Sequence, residues 1–141
     1  MVQLTAEKTI ERYRKQSVRL LGDSFGHMRN GRWNQSEELL WGSLTLAVKA
    51  VALSKGTALS GDETIKEYAY QLGKDRRDRR IREAFKQLSA FSDLVDQVRD
   101  AKSRVDYLFV TLDDVSEAVE HLWQMVDSEE DNDPFTLIHR G

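Results

Sequence analysis

The amino-acid sequence predicts an all-α protein, folded as a single up-and-down bundle of five helices. Apolar residues recur at spacings of three and four along most of the chain, which is the period of an α-helix. The only proline is Pro134, so the first 130 residues contain none that would interrupt a helix. We find no hairpin signal between strand patterns and no alternation of strands with helices, which argues against the β and α/β classes.

The first two predicted helices are joined by a short turn. The apolar pattern of the first covers residues 5–29, and an Asn-Gly pair places the turn at residues 30–31. The second helix is expected to begin at Asn34, a favourable N-cap residue with Glu37 three positions later. Gly56 is expected to end it, because glycine readily adopts the left-handed conformation that closes many helices.

The third and fourth helices are marked by weaker signals. Ser60 is expected to cap the third helix, with Glu63 completing a capping box, and Gly73 is expected to end it. The fourth helix begins near Asp75 and keeps a regular apolar stripe to residue 98. It either continues to residue 108 or gives way to an extended link, because residues 107–110 are apolar and partly β-branched.

The fifth helix is expected to start at Thr111, with Asp114 three residues on as in a capping box. The chain then becomes acidic and rich in turn-forming residues near its end. We therefore predict one helical-bundle domain at residues 1–130 and a loose acidic tail at residues 131–141.

The second helix is apolar on nearly every side, which is unusual for a small protein. On a helical wheel its polar residues form only a narrow strip. Such a helix must be covered on nearly all sides, so we place it at the centre of the bundle. The apolar surface around Leu39, Leu46 and Leu53 is covered either by other helices of the same chain or by a second subunit. We predict the second arrangement, a homodimer with these three leucines at its interface.

The polar strip of this helix has two interpretations. Its members are Glu38, Gly42, Thr45 and Lys49, and Gly42 allows another helix to approach closely. In one interpretation the strip is a solvated seam with an ordinary surface ion pair. In the other it lines a pocket in which Lys49 binds an anion.

Composition narrows the possible functions. The chain has 21 Lys and Arg residues against 24 Asp and Glu residues. This slightly acidic balance argues against a surface that is basic overall and binds nucleic acid or membranes, but it allows local basic patches. It contains no cysteine, so disulfides and thiolate metal sites are excluded, and we expect a cytoplasmic protein. No signal peptide or membrane span is expected. No phosphate-binding loop, dinucleotide fingerprint or nucleophile elbow occurs, so no cofactor is predicted.

The three histidines do not form a recognisable metal motif. His27 follows Asp23 by four residues, and His121 follows Glu117 by four. Metal sites in carboxylate-type helical bundles use a spacing of three instead. We therefore predict no metal site.

Residues 74–83, KDRRDRRIRE, combine six basic with three acidic residues. One interpretation is a phosphate-binding patch for RNA or a nucleotide, in which each phosphate contact makes binding more dependent on salt. The other is a solvated helix start with local ion pairs. The candidate ligand-binding residues are Arg76, Arg77, Arg79, Arg80 and Arg82, together with Lys49.

Residues 29–53, RNGRWNQSEELLWGSLTLAVKAVAL, resemble the second helix of HEPN-type proteins, specifically the archaeal PaREP group. The sequence lacks the alanine that this group has between Gln35 and Ser36, and it has Ser43 where alanine is usual. The resemblance implies a HEPN-like up-and-down bundle that is often dimeric, and some relatives act with a nucleotidyltransferase-like partner chain. The matching positions are Gly31, Gln35, Ser36, Glu37, Trp41, Gly42, Lys49, Ala50 and Ala52.

Some HEPN proteins are metal-independent RNases that use an Arg, a polar neighbour and a following His. Here Arg77 and Asp78 are the nearest remnant of that motif, and Arg82, Glu83 and Ala84 stand where the His is expected. The resemblance therefore implies a non-catalytic binding or interaction protein, with no catalytic residue. The alternatives are a degenerate or unconventional RNase and a toxin–antitoxin-type subunit whose activity needs a partner.

Overall fold

The computed structural model describes residues 2–97 and 103–131. This part of the chain contains five helices and no strand, so the predicted all-α class is confirmed. The predicted tail lies outside the described residues from residue 132 onward. The helices are α1 (Val2–Arg29), α2 (Trp33–Ser54), α3 (Asp62–Asp75), α4 (Arg79–Gln97) and α5 (Ser103–Asp131).

Helix α2 is the centre of the bundle, as its nearly continuous apolar surface predicts. It contacts each of the other four helices and packs most extensively against α1. Burying so many large apolar side chains stabilises the fold, since each contributes about 1.5–3 kcal/mol relative to exposure. The fully buried apolar residues of α2 are Leu40, Leu44, Ala47, Val48, Ala50, Val51 and Ala52.

Buried serines join α1 to α2. Ser17 Oγ donates to the backbone carbonyl of Ser43 at 2.9 Å, and Ser43 Oγ donates to the carbonyl of Ser17 at 2.8 Å. Trp123 of α5 donates its indole N–H to Ser17 Oγ at 3.2 Å. A second link runs from Ser36 Oγ to the carbonyl of Ser24. These pairs show that α1 and α2 are antiparallel, and the small serine side chains let the two backbones approach closely.

Three helices end in the same Schellman geometry, in which a left-handed residue follows the helix. That residue is Gly31 after α1 (φ 73°), Gly56 after α2 (φ 86°) and Arg77 after α3 (φ 54°). The first two are glycines, as this conformation favours, and the third is not. The defining backbone hydrogen bonds run from Arg32 N to His27 O, from Thr57 N to Ala52 O and from Asp78 N to Gly73 O.

Three predicted helix boundaries are wrong. Asn34 lies inside α2, whose N-cap residue is Arg32, because the turn after α1 is short enough for the helix to begin at once. Ser60 lies outside α3, whose N-cap is Gly61 with φ 87°. Gly73 does not end α3 but lies buried in its last turn. A side chain there would collide with α4, because an added Cβ would lie 2.3 Å from Arg82 N.

The predicted starts of α4 and α5 are also wrong. The chain turns after α3, so α4 begins at Arg79 rather than near Asp75. Residues 107–110 are helical, not an extended link, and Thr111 is inside α5. Burial explains this outcome: Leu108 and Leu112 are both fully buried one helical turn apart, and this packing outweighs the β-branched composition of the segment.

Candidate functional site

The arginine turn, defined here as residues 74–82, connects α3 to α4 at one end of the bundle. The two helices approach closely, since buried Gly73 has no side chain to separate it from the first turn of α4. The chain must therefore reverse within three residues. Arg76 and Arg77 lie in this reversal, and both side chains are exposed.

Asp78 fixes the start of α4 and links it to α5. Its Oδ1 accepts a hydrogen bond from the backbone N–H of Ile81 at 3.2 Å, which is the N-cap interaction. Its Oδ2 lies 2.8 Å from His121 Nδ1. The carboxylate is largely shielded, with 18% of the side chain exposed, whereas the histidine side chain is 36% exposed. Asp78 therefore holds one ring nitrogen of a histidine beside the arginine turn.

Arg80 has a structural role within the bundle. Its guanidinium lies 2.7 Å from Asp114 and 2.9 Å from Glu117, both on α5. Asp114 also accepts a hydrogen bond from Gln87 of α4. Two carboxylates thus neutralise Arg80, which leaves it less available than Arg77, Arg79 or Arg82 for an external phosphate.

Arg79 and Arg82 are only loosely paired. Both contact Glu83, at 3.2 Å and 3.7 Å, and the Arg79 side chain remains 79% exposed. The hydrogen bond from Arg79 is the main cause that lowers the pKa of the Glu83 carboxyl; desolvation opposes it, and the charges of Arg79, Arg82 and Lys86 add to the lowering. One carboxylate shared between two arginines leaves positive charge on this face of α4.

The side chain of Arg77 adds a further positive charge to the arginine turn. No ion pair within the described parts of the chain involves its side chain. Its backbone is held in the left-handed region, which costs an L-residue about 1–2 kcal/mol. The structure thus brings Arg76, Arg77, Arg79 and Arg82 together on one exposed turn and the adjoining helix.

The other predicted site residues lie elsewhere. Lys49 Nζ is 5.3 Å from the centre of the Tyr13 ring, between α2 and α1, and it is distant in sequence from the arginine turn. Leu39, Leu46 and Leu53 are each half-buried in the single chain, and Leu53 packs against the core. The large apolar side chains with the most exposure are instead Val18, Tyr70, Tyr107, Phe109 and Val110.

Sequence reasoning missed the contact between Asp78 and His121. The spacing of Glu117 and His121 correctly placed both residues on one face of α5, but their partners, Arg80 and Asp78 at the start of α4, are 37 and 43 residues away. Nothing in the local pattern connects the two helices. Among the described residues, no group of three potential ligands is placed to hold a metal ion.

Comparisons with known proteins do not identify a family. No protein-family model, curated protein or solved structure matches the chain. In the part of the chain that the structure describes, no helix is both long enough and apolar enough to cross a membrane.

Proposed function

We propose that this protein is a non-catalytic, HEPN-like binding protein that holds phosphate groups of RNA, or of a nucleotide, at the arginine turn. The observation that carries the proposal is Arg77, an arginine at a position where the left-handed backbone favours glycine. Gly31 and Gly56 occupy the equivalent positions after α1 and α2. Strained residues of this kind cluster at functional sites, where the strain is retained for a reason other than stability.

The charge around Arg77 supports an anionic partner. Arg76 is exposed beside it, and Arg79 and Arg82 share a single carboxylate, Glu83, on the following helix turn. Guanidinium groups bind phosphate oxygens through two parallel N–H donors, which makes arginine the preferred residue for this contact. No aromatic residue interrupts residues 74–82, so base stacking would add little and recognition of sequence is not expected.

The test is binding of a labelled single-stranded RNA, measured by fluorescence anisotropy at low and moderate salt. We expect Arg77→Glu to weaken binding at least about tenfold, because it removes one phosphate contact and adds a repelling charge. Arg19→Glu is the matched control, since Arg19 is exposed on α1 and the substitution changes the net charge equally. Equal loss in the two variants, or no binding by the unaltered protein, would refute the proposal.

A second candidate function is unconventional RNA cleavage, and one observation favours it. His121 is held through Nδ1 by Asp78, the residue next to Arg77, and no hydrogen bond within the described residues involves its Nε2. An imidazole can act as a general acid or base in RNA cleavage, and a neighbouring arginine can stabilise a phosphate as negative charge builds on it. His121 contacts Asp78 and not Arg77, so the usual Arg–His arrangement is still absent from the described residues.

Cleavage is tested by incubating the protein with labelled single-stranded RNA, without metal, across pH 5–8. The binding proposal predicts intact RNA. Cleavage that is lost in both Arg77→Ala and His121→Ala would replace it with the RNase candidate.

The assembly proposals rest on the sequence alone. We propose a homodimer through the surface of Leu39, Leu46 and Leu53, together with a nucleotidyltransferase-like or toxin–antitoxin-type partner chain in the cell. Sedimentation over a range of concentrations tests the dimer, and a monomer at high micromolar concentration would contradict it. Identification of the proteins that co-purify from the native cell tests the partner.

A further inference from the structure

A second candidate site lies away from the arginine turn, in a groove of about 680 Å³ formed by α1, α2, the start of α3 and α4. This volume is within the range of about 300–1,000 Å³ that is common for small-molecule sites. None of the arginines of the turn lines the groove. Its apolar surface is provided by Leu20, Leu46, Ile65 and Phe85.

The narrow polar strip of α2 forms the base of this groove. Glu38, Gly42 and Thr45 all line it, whereas Lys49 does not. An added Cβ at Gly42 would lie 3.0 Å from a methyl group of Leu20, so the glycine allows α1 to pack tightly at this point. Three of the four strip residues therefore line the groove, and Lys49 lies outside it.

One wall of the groove is an indole with a fixed orientation. Trp41 donates its N–H to Glu37 Oε1 at 3.2 Å, and its ring centre lies 5.3 Å from that of Phe85. The ammonium of Lys66 lies 5.2 Å from the centre of the indole ring. This distance is that of a cation–π interaction, so a positive charge already occupies the position beside the indole face.

The charged residues of the groove favour a cation. Glu38 and Asp62 line it with Lys66, so two negative side chains face one positive side chain. The only acidic partner of Lys66 among the described residues is Glu63, at 3.8 Å, and the Glu63 side chain is 94% exposed. Such an exposed pair contributes little to stability, so displacing Lys66 costs mainly its contact with the indole.

We propose that the groove binds an organic cation, an amine or quaternary ammonium group carried on a small apolar body. The ammonium takes the position of Lys66 over Trp41, close to the carboxylates of Glu38 and Asp62. The apolar body packs against Leu20 and Leu46. Lys66 then acts as a tethered competitor for the site. The proposal is independent of phosphate binding at the arginine turn.

The test is calorimetric titration with benzyltrimethylammonium, with thermal unfolding recorded for each variant. We expect Lys66→Ala to bind this probe at least about threefold more tightly than the unaltered protein, because the competing ammonium is gone. In the Lys66→Ala background, Trp41→Leu should weaken binding by about tenfold, the upper part of the range for a partly shielded cation–π contact. Glu38→Gln, at an exposed position, should weaken it by about threefold without affecting stability.

Two further probes make the outcome decisive. Neopentylbenzene has the same shape without the charge, and phenylacetate has the opposite charge. Equal binding of the neutral probe would show that the groove selects only for apolar surface. Tighter binding of phenylacetate would show an anion site at Lys66. Either result, or the absence of benzyltrimethylammonium binding to Lys66→Ala at millimolar concentration, overturns the proposal.

Discussion

Replacing Arg77 with glycine should stabilise the protein. With φ at 54°, Arg77 holds a left-handed conformation that costs an L-residue about 1–2 kcal/mol. Glycine avoids this cost but loses about 0.5–1 kcal/mol more backbone entropy on folding. The difference predicts that Arg77→Gly raises the free energy of unfolding by about 0.5–1 kcal/mol. For a domain of this size, that corresponds to a rise of about 2–4 °C in Tm.

The assay is thermal and urea unfolding followed by circular dichroism, with two control variants. Arg77→Ala removes the same charge but keeps a Cβ atom, so it should leave stability nearly unchanged. Gly56→Ala creates the strain at an equivalent position, where φ is 86° and no atom lies within 4 Å of an added Cβ. It should cost about 0.5–1 kcal/mol, because the left-handed strain of about 1–2 kcal/mol exceeds the backbone entropy of about 0.5–1 kcal/mol that replacing glycine recovers.

Two results would refute this reasoning. If Arg77→Gly is no more stable than Arg77→Ala, the left-handed conformation stores no free energy. If Arg77→Gly is more stable and binds RNA as tightly as the unaltered protein, the strain exists but the side chain has no role in binding. The account requires a gain in stability together with a loss of RNA affinity.

Three further predictions concern packing and pH. Gly73→Ala should lower the free energy of unfolding, measured in urea, by about 3 kcal/mol, because the added Cβ would collide with the backbone of α4. Its control is Gly22→Ala, where no atom lies within 4 Å of the added Cβ; this change should stabilise α1 by about 0.5–1 kcal/mol. In the same assay, Ser17→Ala should cost about 2 kcal/mol and Ser43→Ala about 1 kcal/mol. The larger loss is expected because Ser17→Ala removes a hydrogen bond and also leaves the buried indole N–H of Trp123 without its acceptor. Equal losses would contradict the assigned hydrogen bonds. The pKa of Glu83 is lowered in the folded state, so its contribution to stability is present above its ordinary value of about 4.3 and is lost as the pH falls through the lower folded value. Glu83→Gln should therefore lose less stability than the unaltered protein on acidification in this window, as measured by urea midpoints.

Much of the fold follows from local pattern. The wheel of α2 shows apolar residues on nearly all sides, and a helix of that kind has only one stable place, the centre of a bundle. The ends of the helices are harder to predict, because several neighbouring residues are each suited to cap the helix. Asn34 and Ser60 are good N-caps, but the short turn after α1 and the left-handed Gly61 set the actual starts.

The candidate site was predictable in composition but not in geometry. The run of arginines is visible in the sequence, and so is its mixture with acidic residues. Which arginine is neutralised depends on α5, since Asp114 and Glu117 reach Arg80 from more than 30 positions away. The sequence also does not predict the left-handed conformation of Arg77, because a glycine is the usual helix end and Gly73 is instead needed for the close approach of α4.

The salt dependence of RNA binding tests the central claim most directly. If Arg76, Arg77, Arg79 and Arg82 each contact a phosphate, the logarithm of the association constant should fall against the logarithm of salt concentration with a slope of about −3 for single-stranded RNA. Arg77→Ala should reduce the magnitude of that slope by about 0.7. A slope near zero, or a slope that Arg77→Ala leaves unchanged, would contradict the proposal that this turn binds phosphate.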